Sequence, residues 1–271
     1  MIQYNGRELT FGKFPNGEVN LRMTEIEINP LDIEHAVTLK YEGDEDLFHL
    51  LLVRETLLVP ATLHILYTPY SRMDRDSDVY AFSLKTFANF INGMKWPKVV
   101  IYEPHSDVLP ALLDRVKVIN VTASPLMRSN IDLAFLGEPY QVCYPDVGAF
   151  KRYSDRFKTG DSLVGFKIRD FETGRITSLD ISGHRSKDNV VIVDDLCSKG
   201  GTFVLTATKL REMGFKKIVL AVAHCENTIY KGEVFISGLI DKVITTDSIL
   251  NDNPYPKQLF VIPMSAFKGE G

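Results

Sequence analysis

Two acids and two glycines frame a short loop in the second half of the chain. Asp194 and Asp195 follow the apolar run 190–193, and Gly200 and Gly201 come just before a segment with helical periodicity. Glycines let the backbone approach an anion, and a helix N-terminus offers unpaired N–H groups and the positive end of its dipole. Ionised carboxylates accept hydrogen bonds from neighbouring hydroxyls. The loop therefore predicts a site for a phosphorylated pentose.

Two other interpretations of this loop are available. An apolar strand that ends in two aspartates is also typical of the Walker B element of ATPases, whose Asp serves Mg²⁺. That element requires a Walker A loop, but the Gly-Lys pair Gly12-Lys13 is followed by Phe14 instead of Ser or Thr. The glycine pair alone is also compatible with an ordinary turn.

The elements on either side of the loop follow an α/β pattern. The run 189–193 predicts a buried strand, residues 202–213 predict a helix that Gly214 ends, and residues 217–223 predict the next strand. This order is a strand, loop, helix, strand crossover, which places the loop at the carboxyl end of a strand. Ligands of parallel α/β sheets bind at that edge.

The first half of the chain repeats the alternation. It predicts strands at 63–67 and 98–102 and helices at 81–92 and 109–114. Together the two halves predict an α/β fold with mainly parallel sheets.

Turn signals at 136–139 separate the two halves. We therefore expect an N-terminal domain of residues 1–140 and a C-terminal domain of residues 141–271. Residues 151–174 are polar and basic, and they predict an exposed excursion.

Composition limits the classes of partner. The 271 residues are 45% hydrophobic, enough for one large or two modest cores, and their net charge of −4 lacks the basic surface that nucleic acid binding requires. Three widely spaced cysteines, an odd number, fit reduced thiols better than a disulfide framework. No apolar run approaches the roughly 20 residues of a membrane span. We expect a cytoplasmic protein without nucleic acid or membrane partners.

The segment 190–202 resembles the phosphoribosyl diphosphate loop that type I phosphoribosyltransferases share with ribose-phosphate diphosphokinases. Further stretches resemble the diphosphokinases in the same order over most of the chain. Residues 14–19 are similar to the family's adenine-binding hairpin, residues 67–75 to its Tyr-Ala-Arg-Gln-Asp-Arg segment, residues 103–106 to Asp-Leu-His-Ala, residues 144–148 to Ser-Pro-Asp-Ile-Gly, and residues 167–169 to a Lys-Arg-Arg stretch in a catalytic flexible loop. Their joint occurrence favours the diphosphokinases over the transferases.

This resemblance implies an activity and an architecture. A ribose-phosphate diphosphokinase transfers the pyrophosphoryl group of ATP to C1 of ribose 5-phosphate, which gives phosphoribosyl diphosphate and AMP with the help of Mg²⁺. The resemblance implies two pseudo-symmetric phosphoribosyltransferase-type domains, the first for ATP and the second for ribose 5-phosphate, in a homo-oligomer such as a dimer or hexamer. Two other classes stay open: a phosphoribosyltransferase that uses phosphoribosyl diphosphate, and a non-catalytic synthetase-like regulatory subunit.

The resemblance also assigns roles to individual residues. The implied catalytic residues are Lys167, Arg169 and His105, and the implied metal ligands are His105 and Asp146. The implied ATP-binding residues are Phe14, Asn16, Glu18, Arg72, Met73, Asp74, Arg75 and His105. The implied ribose 5-phosphate-binding residues are Asp194, Asp195, Cys197, Ser198, Lys199, Gly200, Gly201 and Thr202. Ordinary roles are also open to them: Phe14 in a core, Asp146 in a turn, and the cations at the surface.

The chain departs from the family pattern at four positions. Ser198 and Lys199 replace the third Asp and the following Thr of the family loop, so an acid is lost and a cation enters the phosphate cradle. Met73 replaces a Gln, which removes a polar contact to ATP, and Asn16 replaces an Asp, which adds a hydrogen-bond donor. We therefore expect Lys199 to attract the 5-phosphate.

Overall fold

The computed structural model describes residues 1–28, 33–158, 160–169 and 176–267. They form two compact units, residues 1–119 and the residues from Asn120 onward. The expected boundary near 140 is therefore too late, because the helix Pro125–Ala134 packs on strands of the second unit. The turn at 136–139 lies inside that unit and joins this helix to the next strand.

The first unit is a six-stranded sheet with helices. Its strands are β1 (Ile2–Tyr4), β2 (Arg7–Glu8), β3 (Phe11–Lys13), β4 (Val19–Leu21), β5 (Ala36–Leu39), β6 (Thr62–Ile65), β7 (Lys98–Tyr102) and β8 (Val116–Ile119). Its helices are α1 (Glu45–Thr56), α2 (Ser83–Gly93), α3 (Val108–Leu112) and the short 3-10 helix Met23–Glu25. The sheet order is β2-β1-β5-β6-β7-β8, and β3 pairs with β4 in a separate hairpin.

Strands β5 to β8 run parallel, and β1 and β2 add an antiparallel edge. The periodic pattern of α2 forms the predicted helix, because its apolar residues recur every three or four positions and share one face. That face is buried in the core of the unit through Leu84, Phe87, Ala88 and Ile91. The four elements predicted here from sequence, β6, α2, β7 and α3, are confirmed within a few residues.

The second unit is a seven-stranded sheet with helices. Its strands are β9 (Tyr140–Tyr144), β10 (Leu163–Arg169), β11 (Ile176–Ser182), β12 (Asn189–Cys197), β13 (Lys217–Cys225), β14 (Lys242–Thr246) and β15 (Leu259–Ile262). Its helices are α4 (Pro125–Ala134), α5 (Val147–Phe157), α6 (Gly201–Glu212) and the 3-10 helices Asn227–Lys231 and Met264–Phe267. The order is β11-β10-β9-β12-β13-β14-β15, and only the β10–β11 pair is antiparallel.

The excursion predicted at 151–174 is wrong for most of its length. Residues up to Phe157 belong to α5, and residues 163–169 form β10. Helix α5 escapes notice in the sequence because it buries only a narrow stripe, Ala149, Tyr153 and Phe157, while its other faces are polar.

Strand β12 and helix α6 form the predicted crossover around the acid and glycine loop. The strand runs to Cys197, so Asp194 and Asp195 are part of its carboxyl-terminal end. Residues 189–193 are buried, as expected for a central strand of a parallel sheet. Gly214 ends α6 with a φ of 89°, as predicted.

Within the described residues, no helix is both long enough and apolar enough to cross a membrane.

Candidate active site

The loop between β12 and α6 has a geometry that requires glycine. Gly200 precedes the first turn of α6 with a φ of 79°, a left-handed conformation that disfavours other residues. A Cβ atom at this position would lie 2.2 Å from Cγ2 of Val234. At Gly201 a Cβ would meet no atom within 4 Å, so this side of the loop is open. Backbone N–H groups at the start of α6 can therefore be approached by an anion.

The segment that follows β13 packs against the loop between β12 and α6. A Cβ atom at Gly232 would lie 1.9 Å from the carbonyl oxygen of Lys199, so only glycine allows this approach. The N–H of Glu226 donates to the carbonyl oxygen of Cys197 at 2.8 Å. The sequence prediction missed Gly232, because its contact with the loop spans more than thirty residues and leaves no local pattern.

Arg152 of α5 forms an ion pair with both acids of the loop. Its Nη1 atom lies 2.8 Å from Oδ1 of Asp195 and 3.5 Å from Oδ1 of Asp194. The three side chains are largely buried, with exposed fractions of 18% for Arg152, 7% for Asp195 and 14% for Asp194. The sequence prediction missed Arg152, although it follows Ala149 by three residues, close to the buried stripe of α5.

The pKa of Asp194, near the end of β12, is shifted from its ordinary value. Burial raises the pKa of Asp194 well above its ordinary value, and the charges of Asp195 and Asp146 raise it further. Burial works to lower the pKa of Arg152, but the neighbouring carboxylates outweigh burial, and the pKa of Arg152 is raised. Hydrogen-bond donors placed at this edge would favour the ionised form of Asp194.

Asp146 caps α5 next to this pair of acids. Its Oδ1 accepts a hydrogen bond from the N–H of Ala149 at 2.9 Å, which satisfies one of the unpaired donors at the start of the helix. Asp146 therefore has the local structural role that a turn residue would have. It also lies close enough to Asp194 to raise the pKa of that group.

Three cysteines of the second unit are free and buried. Cys197 ends β12 opposite Cys225 of β13. A hydrogen bond with Cys225 and burial both raise the pKa of Cys197. Its side chain thus lies in the core behind the loop, while Ser198 and Lys199 continue into the loop with increasing exposure.

Lys167 and Arg169 lie in a strand, which corrects the prediction of a flexible loop. They belong to the end of β10, where the backbone pairs with Leu179 and Ile176 of β11. A Cβ atom at Gly165 would lie 2.5 Å from the carbonyl oxygen of Pro145, so β10 passes close to the end of β9. The side chains at 167 and 169 lie outside what the structure describes.

In the first unit, the loops after β6 and β7 meet at one edge of the sheet, because these strands are parallel neighbours. Nε of Arg75 donates to Oδ1 of Asp74 at 3.0 Å. Burial works to raise the pKa of Asp74, but a hydrogen bond from Ser106 and the charges of Arg75 and His105 lower it overall. The structure thus brings together Asp74, Arg75 and His105, three of the residues selected from sequence.

Hydrogen bonds hold the first residues of the loop that follows β6 in place. Tyr70 has a φ of 60°, unusual for a non-glycine residue, and its hydroxyl donates to Asp44. The N–H of Met73 donates to the carbonyl oxygen of Tyr70 at 2.9 Å, and the N–H of Leu84 donates to that of Met73 at 3.2 Å. Met73 is half-buried between these contacts, whereas Arg72 is exposed.

The predicted hairpin around residue 16 is confirmed as a hairpin between β3 and β4. The N–H of Phe14 donates to Glu18 and that of Gly17 to Phe14, both at 2.8 Å, and Gly17 has a φ of 91°. Oδ1 of Asn16 accepts from the N–H of Glu18 at 3.2 Å. Phe14 is 55% exposed, so the interpretation of Phe14 as a core residue is wrong.

Comparisons with known proteins cover most of the chain. No protein-family model matches it. Ribose-phosphate pyrophosphokinase, another name for the diphosphokinase, of Sulfurisphaera tokodaii is 28% identical over 262 residues, which is 93% of this chain and 87% of the relative. The enzyme of that name from Methanothermobacter thermautotrophicus is 29% identical over 267 residues, covering 89% of this chain and 84% of the relative.

A solved structure shares the fold over almost the whole chain. The phosphoribosylpyrophosphate synthetase of Mycobacterium smegmatis matches with a TM-score of 0.76 and 20% identity, covering 96% of this chain and 87% of the other. Its likeness supports an α/β fold with two phosphoribosyltransferase-type domains. Since many relatives of one name match the chain nearly end to end, the resemblance drawn from the motifs is confirmed, and the chain is similar to ribose-phosphate diphosphokinases over about nine tenths of its length.

Proposed function

We propose that this protein is a ribose-phosphate diphosphokinase, which transfers the pyrophosphoryl group of ATP to C1 of ribose 5-phosphate. The observation that carries the proposal is the near-full-length similarity to relatives named ribose-phosphate pyrophosphokinase. The acid and glycine loop between β12 and α6 supports it, since the loop combines acceptors for a diol with an open helix N-terminus.

Ribose 5-phosphate binds in the second unit under this proposal. Its 5-phosphate lies against the backbone from Ser198 to Thr202, where Gly201 leaves space and Lys199 adds a positive charge. A pair of neighbouring hydroxyls of its ring donates to Asp194 and Asp195, which lie on the same end of β12.

ATP binds in the first unit under this proposal. The exposed ring of Phe14 supplies a face for the adenine, and Asn16 and Glu18 of the same hairpin supply polar groups. Arg72 and Arg75 are exposed and suit the phosphates, because planar guanidinium groups pair with two oxygens at once.

The residues present fit Mg²⁺ that arrives with the nucleotide. In the described part of the chain, no three His, Cys, Asp or Glu side chains are grouped so that they could hold a metal ion. Mg²⁺ in phosphoryl transfer enzymes uses one or two carboxylates and the phosphates of the substrate, so no such cage is required. Asp146 offers an oxygen donor beside Asp194, and His105 offers a ring nitrogen beside Asp74. Bound there, Mg²⁺ would neutralise charge on the phosphates.

The reaction asks the protein mainly for positioning and charge. The C1 hydroxyl of ribose 5-phosphate attacks the β-phosphorus of ATP in line, and AMP leaves with the α-phosphate. The transition state is loose and carries negative charge on the phosphoryl oxygens, which cations stabilise. We assign that role to Lys167 and Arg169 at the end of β10, together with His105 and Arg72 at the nucleotide phosphates.

Incubation of the full chain with ATP, Mg²⁺ and ribose 5-phosphate tests the proposal. We expect equal amounts of AMP and phosphoribosyl diphosphate, resolved by phosphorus NMR, and their loss in the Asp194→Asn, Asp195→Asn double variant. Binding of both substrates without AMP formation would indicate a non-catalytic subunit instead. Consumption of phosphoribosyl diphosphate with a nucleobase would indicate a phosphoribosyltransferase.

We also propose a homo-oligomer and a cytoplasmic location. The exposed Phe14, at the turn of the β3–β4 hairpin, is the kind of group that a second copy of the chain would cover, so we expect at least a dimer. Light scattering that finds an active monomer would contradict this. The three free, buried thiols support a reducing compartment.

A further inference from the structure

Arg152 contacts the acid pair of the loop. Its guanidinium lies 2.8 Å from Asp195 and 3.5 Å from Asp194, and both contacts use the Oδ1 atom of the acid. It is a largely buried cation in a helix on which Lys151 and Asp155 are exposed. Burying a charge is costly unless a partner compensates for it, so the two acids are what make the burial of Arg152 at this position tolerable.

A cation between Asp194 and Asp195 offsets the repulsion between their charges. Asp194 and Asp195 are consecutive, they are 14% and 7% exposed, and their charges repel each other. Without a cation they would turn apart, or the pKa of Asp194 would rise still further, and either change would weaken the acceptors at the end of β12. Arg152 bridges them through one nitrogen atom, Nη1, whose positive charge lies close to both carboxylates and can hold them side by side.

The bridge is held rigidly from the helix side. Helix α5 begins at the cap made by Asp146, and the guanidinium of Arg152 lies 5.6 Å from the ring centre of Tyr153, which is fully buried. The acid side is also fixed, because the N–H of Asp195 donates to Oδ1 of Asp194 at 2.9 Å. An ionised carboxylate has about four acceptor positions, so contacts at Oδ1 leave acceptor capacity for hydroxyl groups.

We infer that Arg152 is a positioning residue for ribose 5-phosphate. It holds Asp194 and Asp195 in the orientation in which they accept hydrogen bonds from two neighbouring ring hydroxyls of the pentose. The inference rests on the proposed function, because it assumes that the acid pair binds this substrate. Arg152 acts through the acids and contributes to affinity for the pentose phosphate alone. A merely structural ion pair would instead affect folding stability and both substrates together.

Three single variants of the full chain separate these roles. Arg152→Met removes the bridge and keeps an unbranched side chain, and Arg152→Lys keeps the charge but replaces the planar guanidinium by a compact ammonium group. Lys151→Met is the matched control, because it removes the neighbouring, exposed cation from the same helix. Each is titrated calorimetrically with ribose 5-phosphate in the presence of Mg²⁺, and KM for ATP and kcat are measured alongside.

For Arg152→Met we expect the Kd for ribose 5-phosphate to rise roughly 10- to 100-fold, the range for the loss of one hydrogen bond between a pentose hydroxyl and a charged acid. The KM for ATP should stay within about twofold of the parental value. Arg152→Lys should weaken binding by a smaller factor, and Lys151→Met should bind as the parent does. Parental affinity in Arg152→Met, or an equal loss for both substrates, overturns the inference. If Arg152→Met does not fold, parental affinity in Arg152→Lys overturns it.

The calorimetric titrations also distinguish a failure of the proposed function from a failure of the role inferred for Arg152. If the parent protein does not bind ribose 5-phosphate, the proposed function fails, and the role of Arg152 fails with it. If the parent binds and Arg152→Met binds equally well, only the role of Arg152 fails.

Discussion

Gly232 is the position where one methyl group would displace the loop between β12 and α6. A Cβ atom there would lie 1.9 Å from the carbonyl oxygen of Lys199, and the atom it meets is backbone, which cannot rotate away. Because ordinary carbon–oxygen contacts begin at about 3.3 Å, Gly232→Ala must move the loop or its own segment by at least about 1.4 Å. A misplacement of about 1 Å at a binding site can cost roughly 10²-fold in rate.

We therefore expect Gly232→Ala to lower kcat/KM for ribose 5-phosphate by roughly 10²-fold, while KM for ATP changes little. Overpacking should also lower the free energy of unfolding by about 1–3 kcal/mol. The matched control is Gly160→Ala in the same unit, where a Cβ would meet no atom within 4 Å. Steady-state kinetics and urea unfolding of the three proteins decide the matter. Parental kcat/KM in Gly232→Ala would contradict this prediction, since the loop would then tolerate the contact.

Three further predictions concern charges. Lys167→Ala should lower kcat by roughly 10²–10³ with little change in either KM, as for loss of one preorganised transition-state contact, and near-parental turnover would remove Lys167 from the mechanism. Lys199→Thr should raise KM for ribose 5-phosphate more than it lowers kcat, because a ground-state phosphate contact is lost; an unchanged KM would mean that Lys199 faces solvent. Hydrogen bonds from Lys216 and Arg185 lower the pKa of Asp188, so its stabilising contribution is present above about pH 4 and is lost as the pH falls through the lowered pKa. Melting temperatures of Asp188→Asn and the parent should thus differ at neutral pH and converge in acid, and a constant difference would contradict this.

Patterns that depend on neighbouring residues predicted structure well. Apolar residues at helical spacing fixed the place of α2, and an apolar run followed by acids and glycines gave β12, the loop and α6 in the right order. The hairpin around Gly17 was implied by the resemblance to the family, and the positive φ of Gly17 explains why a glycine suits its turn. In each case the cause of the structure lies within a few residues of the pattern.

Features that depend on distant contacts escaped prediction. The boundary near 140 was wrong because the docking of α4 on β13 and β14, and not the turn after it, decides to which unit the helix belongs. The polar composition of α5 hid its narrow buried stripe. Gly232 is a contact residue only because of the fold, and a single glycine after a polar segment gives no sign of a backbone neighbour at 1.9 Å.

The charges around the loop explain how its two departures from the family pattern can be accommodated. Asp146, Asp194 and Asp195 lie at one edge of the second sheet, where burial first, and then the charges of Asp195 and Asp146, raise the pKa of Asp194 well above its ordinary value, and Arg152 is the largely buried cation between the last two. A further acid at position 198, which the family loop usually has, would add negative charge beside this cluster. Ser198 removes that charge and Lys199 adds a positive one, so the cradle becomes more attractive to a dianionic phosphate while the acid pair and its bridge stay intact. Under the proposed function, the change would affect affinity for the 5-phosphate and spare the acceptors for the pentose hydroxyls, which favours a working substrate site over an inert copy.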